Sequence, residues 1–206
     1  MLKNNIDLKK TENFMNKVAF LDGIQRKELL PPEEILGRLP INKSDRVLDV
    51  GAGSGFLTIP VAKMVNETVF ALDIDQRMLK IIQEKADDRN INNIELLKGN
   101  LDNIPLPVGS IDIVLASLIL HEVRPLPKVI NQIGGVLKVG GYLLCLEYEK
   151  DNKIVQGPPM NIRIKSSELE EELIKAGFCI VRKEFPQESI YIIIAKKKED
   201  LYNANS

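Results

Sequence analysis

The chain has 206 residues, 44% of them hydrophobic, and a formal net charge of -1. This length and composition predict one globular α/β domain and exclude a globally disordered chain. A nearly neutral charge gives no reason to expect nucleic acid as an obligate partner. The two cysteines, Cys145 and Cys179, fall in separate predicted strands and form neither a disulfide framework nor a zinc-binding pattern. We therefore expect two buried, reduced thiols and no metal site.

The first 30 residues are polar and carry apolar side chains at roughly helical spacing. These residues are Phe14, Met15, Val18, Phe20 and Leu21. Such a segment could be an extra helix packed on the core or a lid that closes over a site.

No apolar stretch in the chain predicts a targeting or membrane segment. The start lacks the apolar core of a secretory signal. The longest apolar runs, residues 113–120 and 190–195, are far shorter than the roughly 20 residues of a membrane helix. We expect a cytoplasmic, soluble protein without membrane insertion.

Strands and helices alternate after a short helix that opens at Pro31-Pro32. Predicted strands are residues 46–50, 68–73, 94–97, 111–117 and 142–148; predicted helices are residues 56–65, a helix that begins after Asp75, and residues 126–137. Residues 138–141, which include two glycines, are predicted as a turn. This alternation predicts a doubly wound, mostly parallel sheet with helices on both faces.

The last quarter of the chain changes character. Residues 151–163 form a predicted loop, followed by a helix with a capping-box signature at residues 167–170, which Gly177 ends. Residues 178–185 and 189–197 are two predicted strands joined by a short turn at Pro186-Gln187, which makes them antiparallel neighbours. We expect a single domain over residues 1–206: an N-terminal helical extension or lid (1–30), a cofactor-binding core (41–150) and a substrate-side loop, helix and β-hairpin (151–197).

The glycines that follow the first strand predict a nucleotide-like ligand. Gly51, Gly53 and Gly55 let the backbone approach a ligand closely, and the following helix aims free N–H groups at the same place. A dinucleotide-binding turn needs its third glycine where this chain has Phe56, and no Gly-Lys-Ser/Thr follows. The pattern therefore favours a nucleoside ligand without phosphate.

Asp73 ends the second predicted strand about 20 residues after the glycine turn. An acid at this place conventionally binds the two hydroxyls of a ribose. It could instead cap the next helix, but Asp75 is better placed for that role.

Four motifs occur in order: Asp49-Val-Gly-Ala-Gly-Ser-Gly55, Ala71-Leu-Asp-Ile-Asp75, Gly99-Asn-Leu101 with Ile104-Pro105, and Leu137-Lys-Val-Gly-Gly141. Together they resemble the class I S-adenosylmethionine-dependent methyltransferases, and most closely the small-molecule branch that includes the ubiquinone/menaquinone C-methyltransferases. The resemblance covers residues 30–197. It implies a Rossmann-like fold whose seven-stranded sheet has an antiparallel final strand, and S-adenosylmethionine as the cofactor.

The resemblance also assigns roles to individual positions of this chain. Gly51 and Gly53 would meet the methionine moiety, whose ammonium group Asp49 would reach. Asp73 would bind both ribose hydroxyls, and the adenine would meet the remaining residues, Ile74, Asn100 and Leu101. The family commonly has Asp where Asn100 stands, and an amide can still accept a hydrogen bond from the adenine amino group. Ser117 would line the floor beneath the sulfonium.

His121, the only histidine, follows the fourth predicted strand and is the candidate catalytic base. It could instead be a loop histidine that is hydrogen-bonded for structure. Glu147 and Tyr148 could face the acceptor from the same edge of the sheet. Arg163 could bind an anionic substrate group or anchor its own loop.

The leading hypothesis is methyl transfer to an unidentified small-molecule acceptor, apolar or aromatic, by in-line displacement. The alternative is a non-catalytic sensor or scaffold subunit that binds S-adenosylmethionine. Phe56 opposes a nicotinamide oxidoreductase, and an RNA methyltransferase should show a basic, aromatic-bearing face that the sequence lacks. Both cysteines are placed in strands, which disfavours thiol-dependent methylation of arsenite.

Overall fold

The computed structural model describes residues 14, 15, 18, 19, 23, 30–152, 154 and 157–199. Phe14, Met15, Val18 and Ala19 are helical, whereas the rest of the predicted N-terminal extension before Leu30, apart from Gly23, lies outside the described residues. The described elements with continuous bounds are α1 (Pro32–Leu36), β1 (Val47–Val50), α2 (Thr58–Ala62), β2 (Val69–Asp73), α3 (Gln76–Asp87), β3 (Ile94–Lys98), β4 (Ile111–Ser117), a 3-10 helix (Leu120–Glu122), α4 (Leu126–Val136), β5 (Leu137–Tyr148), α5 (Ser166–Lys175), β6 (Phe178–Gln187) and β7 (Ile190–Lys197).

The strands form one sheet in the order β3-β2-β1-β4-β5-β7-β6. Pairing is parallel from β3 through β5, whereas β7 runs antiparallel to both β5 and β6. The predicted Rossmann-like α/β fold with an antiparallel final strand is confirmed. The chain leaves β1 toward β2 on one side and returns with β4 on the other, so a crevice opens at the carboxyl ends of these strands.

The sheet is buried on both faces because successive strand side chains point to opposite sides. Leu48 and Val50 of β1 join the apolar cluster that holds α4 and α5, whereas Val47 joins the cluster that holds α1 and α2. All four residues of β1 are buried. The near-continuous apolar strands are therefore the sequence signature of a two-sided core. None of the helices in the described part of the chain is long and apolar enough to cross a membrane.

Helix α2 is shorter than the predicted span of residues 56–65. Pro60 lies inside it and has no N–H to donate to the carbonyl of Phe56. The hydrogen bonds from Ile59 N to Gly55 O (3.1 Å) and from Val61 N to Leu57 O (3.0 Å) continue the helical pattern on either side. The missing donor interrupts the helical hydrogen bonds at Phe56, and the α-helix begins only at Thr58.

The prediction of a turn at residues 138–141 is wrong, because β5 already begins at Leu137. Between the pairs Ile111/Leu137 and Ile113/Tyr142 the strand β5 advances by five residues while β4 advances by two, which makes a bulge. Gly140 lies in this bulge and has a φ of 77°, a backbone conformation that favours glycine. A glycine pair in a bulge and a glycine pair in a turn have the same sequence signature.

Two further boundaries differ from the sequence prediction. Helix α5 begins at Ser166 with Lys165 as the N-cap residue, ahead of the predicted signature at Ser167. Glu168 accepts a hydrogen bond from the Lys165 N–H (3.2 Å), which is half of a capping box, because a lysine side chain has no acceptor for the other half. The strands β6 and β7 meet across residues 188 and 189 rather than at Pro186-Gln187. Cys145 is buried as predicted, but Cys179 is only half-buried; both thiols are free.

Candidate functional site

A cavity of about 460 Å³ lies at the carboxyl ends of β1, β2 and β4, within the size range of small-molecule sites. All eight residues predicted to bind the cofactor line it: Asp49, Gly51, Gly53, Asp73, Ile74, Asn100, Leu101 and Ser117. His121 is not among the lining residues, although Ile119 and Glu122 on either side of it are. The strand ends thus bring together residues that are up to 68 positions apart in sequence.

The glycine turn is tied to the end of β2 and closed by a side chain from the β4–α4 connection. Gly51 N and Ala52 N both donate to Leu72 O, at 2.8 and 3.0 Å. Gly51 has a φ of 66°, and a Cβ added there would lie 2.7 Å from Ile119 Cδ1 and closer still to Cγ1. Only glycine fits this position, because both the backbone conformation and the adjacent Ile119 exclude a side chain.

Gly55 supplies close packing although it stands one residue early for the dinucleotide pattern. A Cβ at Gly55 would lie 3.1 Å from Ile82 Cγ1 on α3 and 3.2 Å from Ile59 Cγ1 on α2. The next residue, Phe56, is buried and lines the cavity. An aromatic ring therefore occupies the wall where a dinucleotide-binding turn would present its third glycine.

Asp73 is held by backbone donors on both sides of its carboxylate. Its Oδ2 accepts from Gly53 N and its Oδ1 accepts from Asp75 N, each at 2.8 Å. Each carboxylate oxygen has two lone-pair directions, so further acceptor capacity remains. Asp75 caps α3 by accepting from Arg77 N (3.0 Å), which assigns the capping role as the sequence predicted.

Asp49 is the buried acid of the cavity, with 3% of its surface exposed. Its Oδ2 accepts from the hydroxyl of Thr58 at 2.6 Å, and Thr58 is itself fully buried in α2. A buried carboxylate requires hydrogen bonds or a cationic partner. Thr58 was not predicted from the sequence; its position nine residues after Asp49, at the start of α2, is a signal visible only once the fold is known.

The remaining predicted residues form the rim and the floor. Ile74 is 69% exposed and offers an apolar face at the cavity edge. The Asn100 side-chain oxygen accepts from Asp102 N (3.2 Å), which fixes the start of the loop after β3. Leu101 is buried, and Ser117 ends β4 half-buried at the cavity.

Carboxylates dominate the charge around the cavity. Five of them line it, against one guanidinium, that of Arg124; the acids are Asp49, Asp73, Asp75, Asp102 and Glu122. Such a lining attracts a cationic ligand and repels pyrophosphate. Within the described residues, no group of three or more His, Cys, Asp or Glu side chains is arranged to hold a metal ion.

His121 lies in the 3-10 helix with 7% of its surface exposed. Its Nδ1 is 2.7 Å from Glu147 Oε2, and Glu147 is 1% exposed. Glu147, proposed from the sequence to face the acceptor, instead faces this histidine. The structure thus joins two side chains that the sequence placed at the ends of two different strands.

Arg163 anchors the loop that precedes α5. It is 3% exposed, and it donates to the carbonyls of Pro158 (2.8 Å), Glu149 (3.2 Å) and Ile154 (3.3 Å). Its guanidinium also lies 5.7 Å from the centre of the Tyr148 ring. Of the two roles predicted for Arg163, these contacts favour loop anchoring, through carbonyl groups.

The N-terminal helical residues approach the cavity rim. The Phe14 ring lies with its centre 4.1 Å from Arg77 Cζ, and Arg77 is paired with Asp75, which lines the cavity. This cation–π contact places Phe14 beside the site, in keeping with either a packed helix or a lid.

Comparisons with known proteins find methyltransferases. Residues 48–145 match the family model described as "Methyltransferase domain". Demethylmenaquinone methyltransferases are similar to this chain: that of Geobacillus sp. strain WCH70 is 32% identical over 124 residues, covering 59% of this chain and 53% of the relative. That of Listeria welshimeri is 31% identical over 122 residues, covering 58% and 52%. The chain thus spans about half the length of these curated relatives.

One solved structure covers nearly the whole fold. The crystal structure of a SAM-dependent methyltransferase from Aquifex aeolicus superimposes with a TM-score of 0.80 at 29% identity, covering 88% of this chain and 97% of that one. The family resemblance seen in the sequence motifs is confirmed, and S-adenosylmethionine is the cofactor that these matches imply. These matches therefore support a class I S-adenosylmethionine-dependent methyltransferase.

Proposed function

We propose that this protein transfers a methyl group from S-adenosylmethionine to a small apolar or aromatic acceptor. The observation that carries the proposal is Asp73. Its carboxylate is hydrogen-bonded by two backbone N–H groups at one wall of the cavity, and the buried Asp49 lies at another. Two fixed acids in one cavity suit a ligand with a diol and a cationic group.

The residues present fit this cofactor. Asp73 keeps acceptor capacity for two ribose hydroxyls. Asp49 offers a buried negative charge to the ammonium group, and Gly51, where no side chain fits, lets the backbone of the turn line the cavity directly. Ile74 supplies an apolar surface for the adenine, and Asn100 supplies polar atoms for its edge.

Ser117 and the backbone of Leu101 complete the proposed set. When bound, S-adenosylmethionine supplies an activated methyl group on a sulfonium. The protein must then orient the acceptor in line with that methyl group and exclude water.

The acceptor side of the cavity favours an apolar molecule. Leu118, Ile119 and Val123 from the β4–α4 connection line it, together with Met78 of α3. The names of the similar curated proteins state that they methylate demethylmenaquinone, an apolar aromatic acceptor. We extend this acceptor class, rather than that compound, to the present chain. No observation favours the non-catalytic sensor or scaffold.

We also propose the domain division expected from the sequence. Residues 41–150 hold the cofactor, residues 151–197 stand on the acceptor side, and residues 1–30 are a helical extension or lid, in one domain spanning the chain. His121 is the proposed base, and the protein is proposed to act in the cytoplasm on a small molecule, without nucleic acid.

The test has two stages. Calorimetry measures S-adenosylmethionine binding to the purified chain, and a transfer assay with isotopically labelled methyl donor then screens a metabolite library that includes a reduced, short-chain demethylmenaquinone. We expect binding and a labelled product heavier by one CH2 group. Absence of binding would refute the cofactor site. Binding without transfer to any acceptor would favour the sensor.

A further inference from the structure

Glu147 carries a carboxylate that is sequestered from solvent in the middle of the protein, on β5. Its Oε1 accepts from Leu120 N at 2.7 Å and, at 3.4 Å, from His121 N. Its Oε2 lies 2.7 Å from His121 Nδ1. A buried charge is stable only when it is hydrogen-bonded or paired, and here all the named partners are donors from one short helix.

Two other ionisable side chains, Cys145 and Tyr191, interact with the charge of Glu147. Burial, assisted by the charge of Glu147, raises the pKa of Cys145 on the same strand. Burial, assisted by the charge of Glu147, also raises the pKa of Tyr191 on β7. Both groups therefore stay neutral at physiological pH.

The hydrogen bond fixes the tautomer of the neutral imidazole. An ionised carboxylate has no proton to donate, so the hydrogen between Oε2 and Nδ1 belongs to the histidine, and the lone pair is on Nε2. Nε2 makes no hydrogen bond within the described part of the chain, where every buried side-chain nitrogen or oxygen has a partner. The small exposed fraction of His121 therefore includes Nε2.

We propose that Glu147 is a positioning residue that holds His121 in the Nδ1–H tautomer with Nε2 free to accept a proton. The same carboxylate fixes the backbone of residues 120–121, and thereby the cavity-lining side chains of Ile119 and Glu122 on either side. The proton-accepting role rests on the proposed function, whereas the tautomer and the loop position do not.

The proton step is balanced by these two side chains. In the proposed reaction the X–H bond of the acceptor would break, and its electron pair would form the new bond from X to the methyl group. The methyl–sulfur bond would break at the same time and leave its electron pair on sulfur. The proton bonds to Nε2, and the imidazolium so formed is neutralised by Glu147 through Nδ1–H. Water takes the proton afterwards.

The Glu147→Gln substitution changes the tautomer expected for His121 while it keeps the hydrogen bond that anchors the loop. The glutamine Oε1 can still accept from Leu120 N, so the loop keeps its anchor. Its NH2 group then faces Nδ1 and must donate to it, which moves the histidine proton to Nε2. Because His121 is the only histidine, its two imidazole nitrogens give the only such signals in a ¹⁵N NMR spectrum.

The spectra are recorded on the ligand-free full chain at a pH where the imidazole is neutral. We expect Nδ1–H in the wild type, Nε2–H in E147Q, and Nδ1–H again in E147D, which restores a carboxylate. The matched control is Glu149→Gln, two residues along the chain. The Glu149 carboxylate accepts a hydrogen bond from Ser166 N and not from the histidine. Nε2–H in the wild type, or Nδ1–H retained in E147Q, would overturn the proposal.

Acylation of the imidazole by diethyl pyrocarbonate provides a second measurement, because the reagent needs a free lone pair. We expect the rate to fall about tenfold or more in E147Q and to stay unchanged in E149Q. Equal rates in wild type and E147Q would overturn the assignment of the free lone pair to Nε2. S-adenosylmethionine binding, measured separately by calorimetry, tests the proposed function, and its absence would leave both histidine measurements unaffected.

Discussion

The Asp73→Ala substitution tests the proposed ribose site. Asp73 is proposed to make two charge-assisted hydrogen bonds to the ribose, and such bonds contribute about 1.5–3 kcal/mol each. In the alanine variant, water can take the place of the carboxylate and recover part of this free energy. A net loss of roughly 1.4–2.8 kcal/mol corresponds to a Kd for S-adenosylmethionine that rises about 10- to 100-fold.

The same substitution also removes a structural contact, and the two effects must be separated. Gly53 N and Asp75 N each lose a carboxylate partner. Because Asp73 is half-exposed and water can replace it, we expect a loss of stability of roughly 1–3 kcal/mol in total. Asp75→Ala is the matched control: it removes a neighbouring cavity acid and the α3 cap, and should cost about 1 kcal/mol of stability with little change in Kd.

Calorimetry with the 2′-deoxyribose analogue of S-adenosylmethionine isolates the hydroxyl contact. The wild type should bind the analogue more weakly than the parent compound, and the Asp73→Ala variant should bind both equally. Urea unfolding of each variant supplies the stability change. If Asp73→Ala loses stability but keeps its Kd, or if it still discriminates between the two ligands, the ribose assignment is wrong.

Substitutions at three further positions test the packing of buried groups. Gly51→Ala places a Cβ against Ile119 at a positive φ, so stability should fall by about 2–5 kcal/mol in urea and cofactor binding should weaken; a stable variant would contradict the close approach. Thr58→Val removes the bond to Asp49 and should cost about 1.5–3 kcal/mol, whereas Thr58→Ser should retain most of it. Burial raises the pKa of Cys145, so its contribution to stability is complete below the unfolded-state pKa of about 8.5 and is lost as pH rises above it, by up to about 1.4 kcal/mol per pH unit. Cys145→Ala should therefore lose less stability than the wild type as pH rises. If the free energies of unfolding of the two proteins fall in parallel with pH, burial of Cys145 is not the cause.

The sequence predicted the convergence of the cavity residues because parallel strands meet at one edge. Gly51 and Asp73 each stand at the carboxyl end of a strand, and adjacency of β1 and β2 in the sheet brings them together. Their local patterns, a glycine turn and an acid that ends an apolar run, can be recognised in the sequence without knowledge of tertiary contacts.

The partners of these residues could not be predicted because they depend on side-chain direction across distant elements. Ile119 lies against Gly51 and follows Leu118, which has a positive φ of 56° just after β4. Glu147 turns inward to His121 rather than outward to the cavity, and strand periodicity does not decide between these directions at a strand end. The bulge at Gly140 was missed for a similar reason, since its pairing partner is on β4.

The acidic lining of the cavity bears on product release. In the proposed reaction the sulfur loses its positive charge, so the spent donor leaves as a neutral thioether. A unit charge about 5 Å from a carboxylate is attracted by roughly 1–3 kcal/mol at effective dielectric constants of 80 to 20. Asp49 and Asp73 should therefore retain the charged donor more strongly than the discharged product, which limits inhibition by the product as it accumulates.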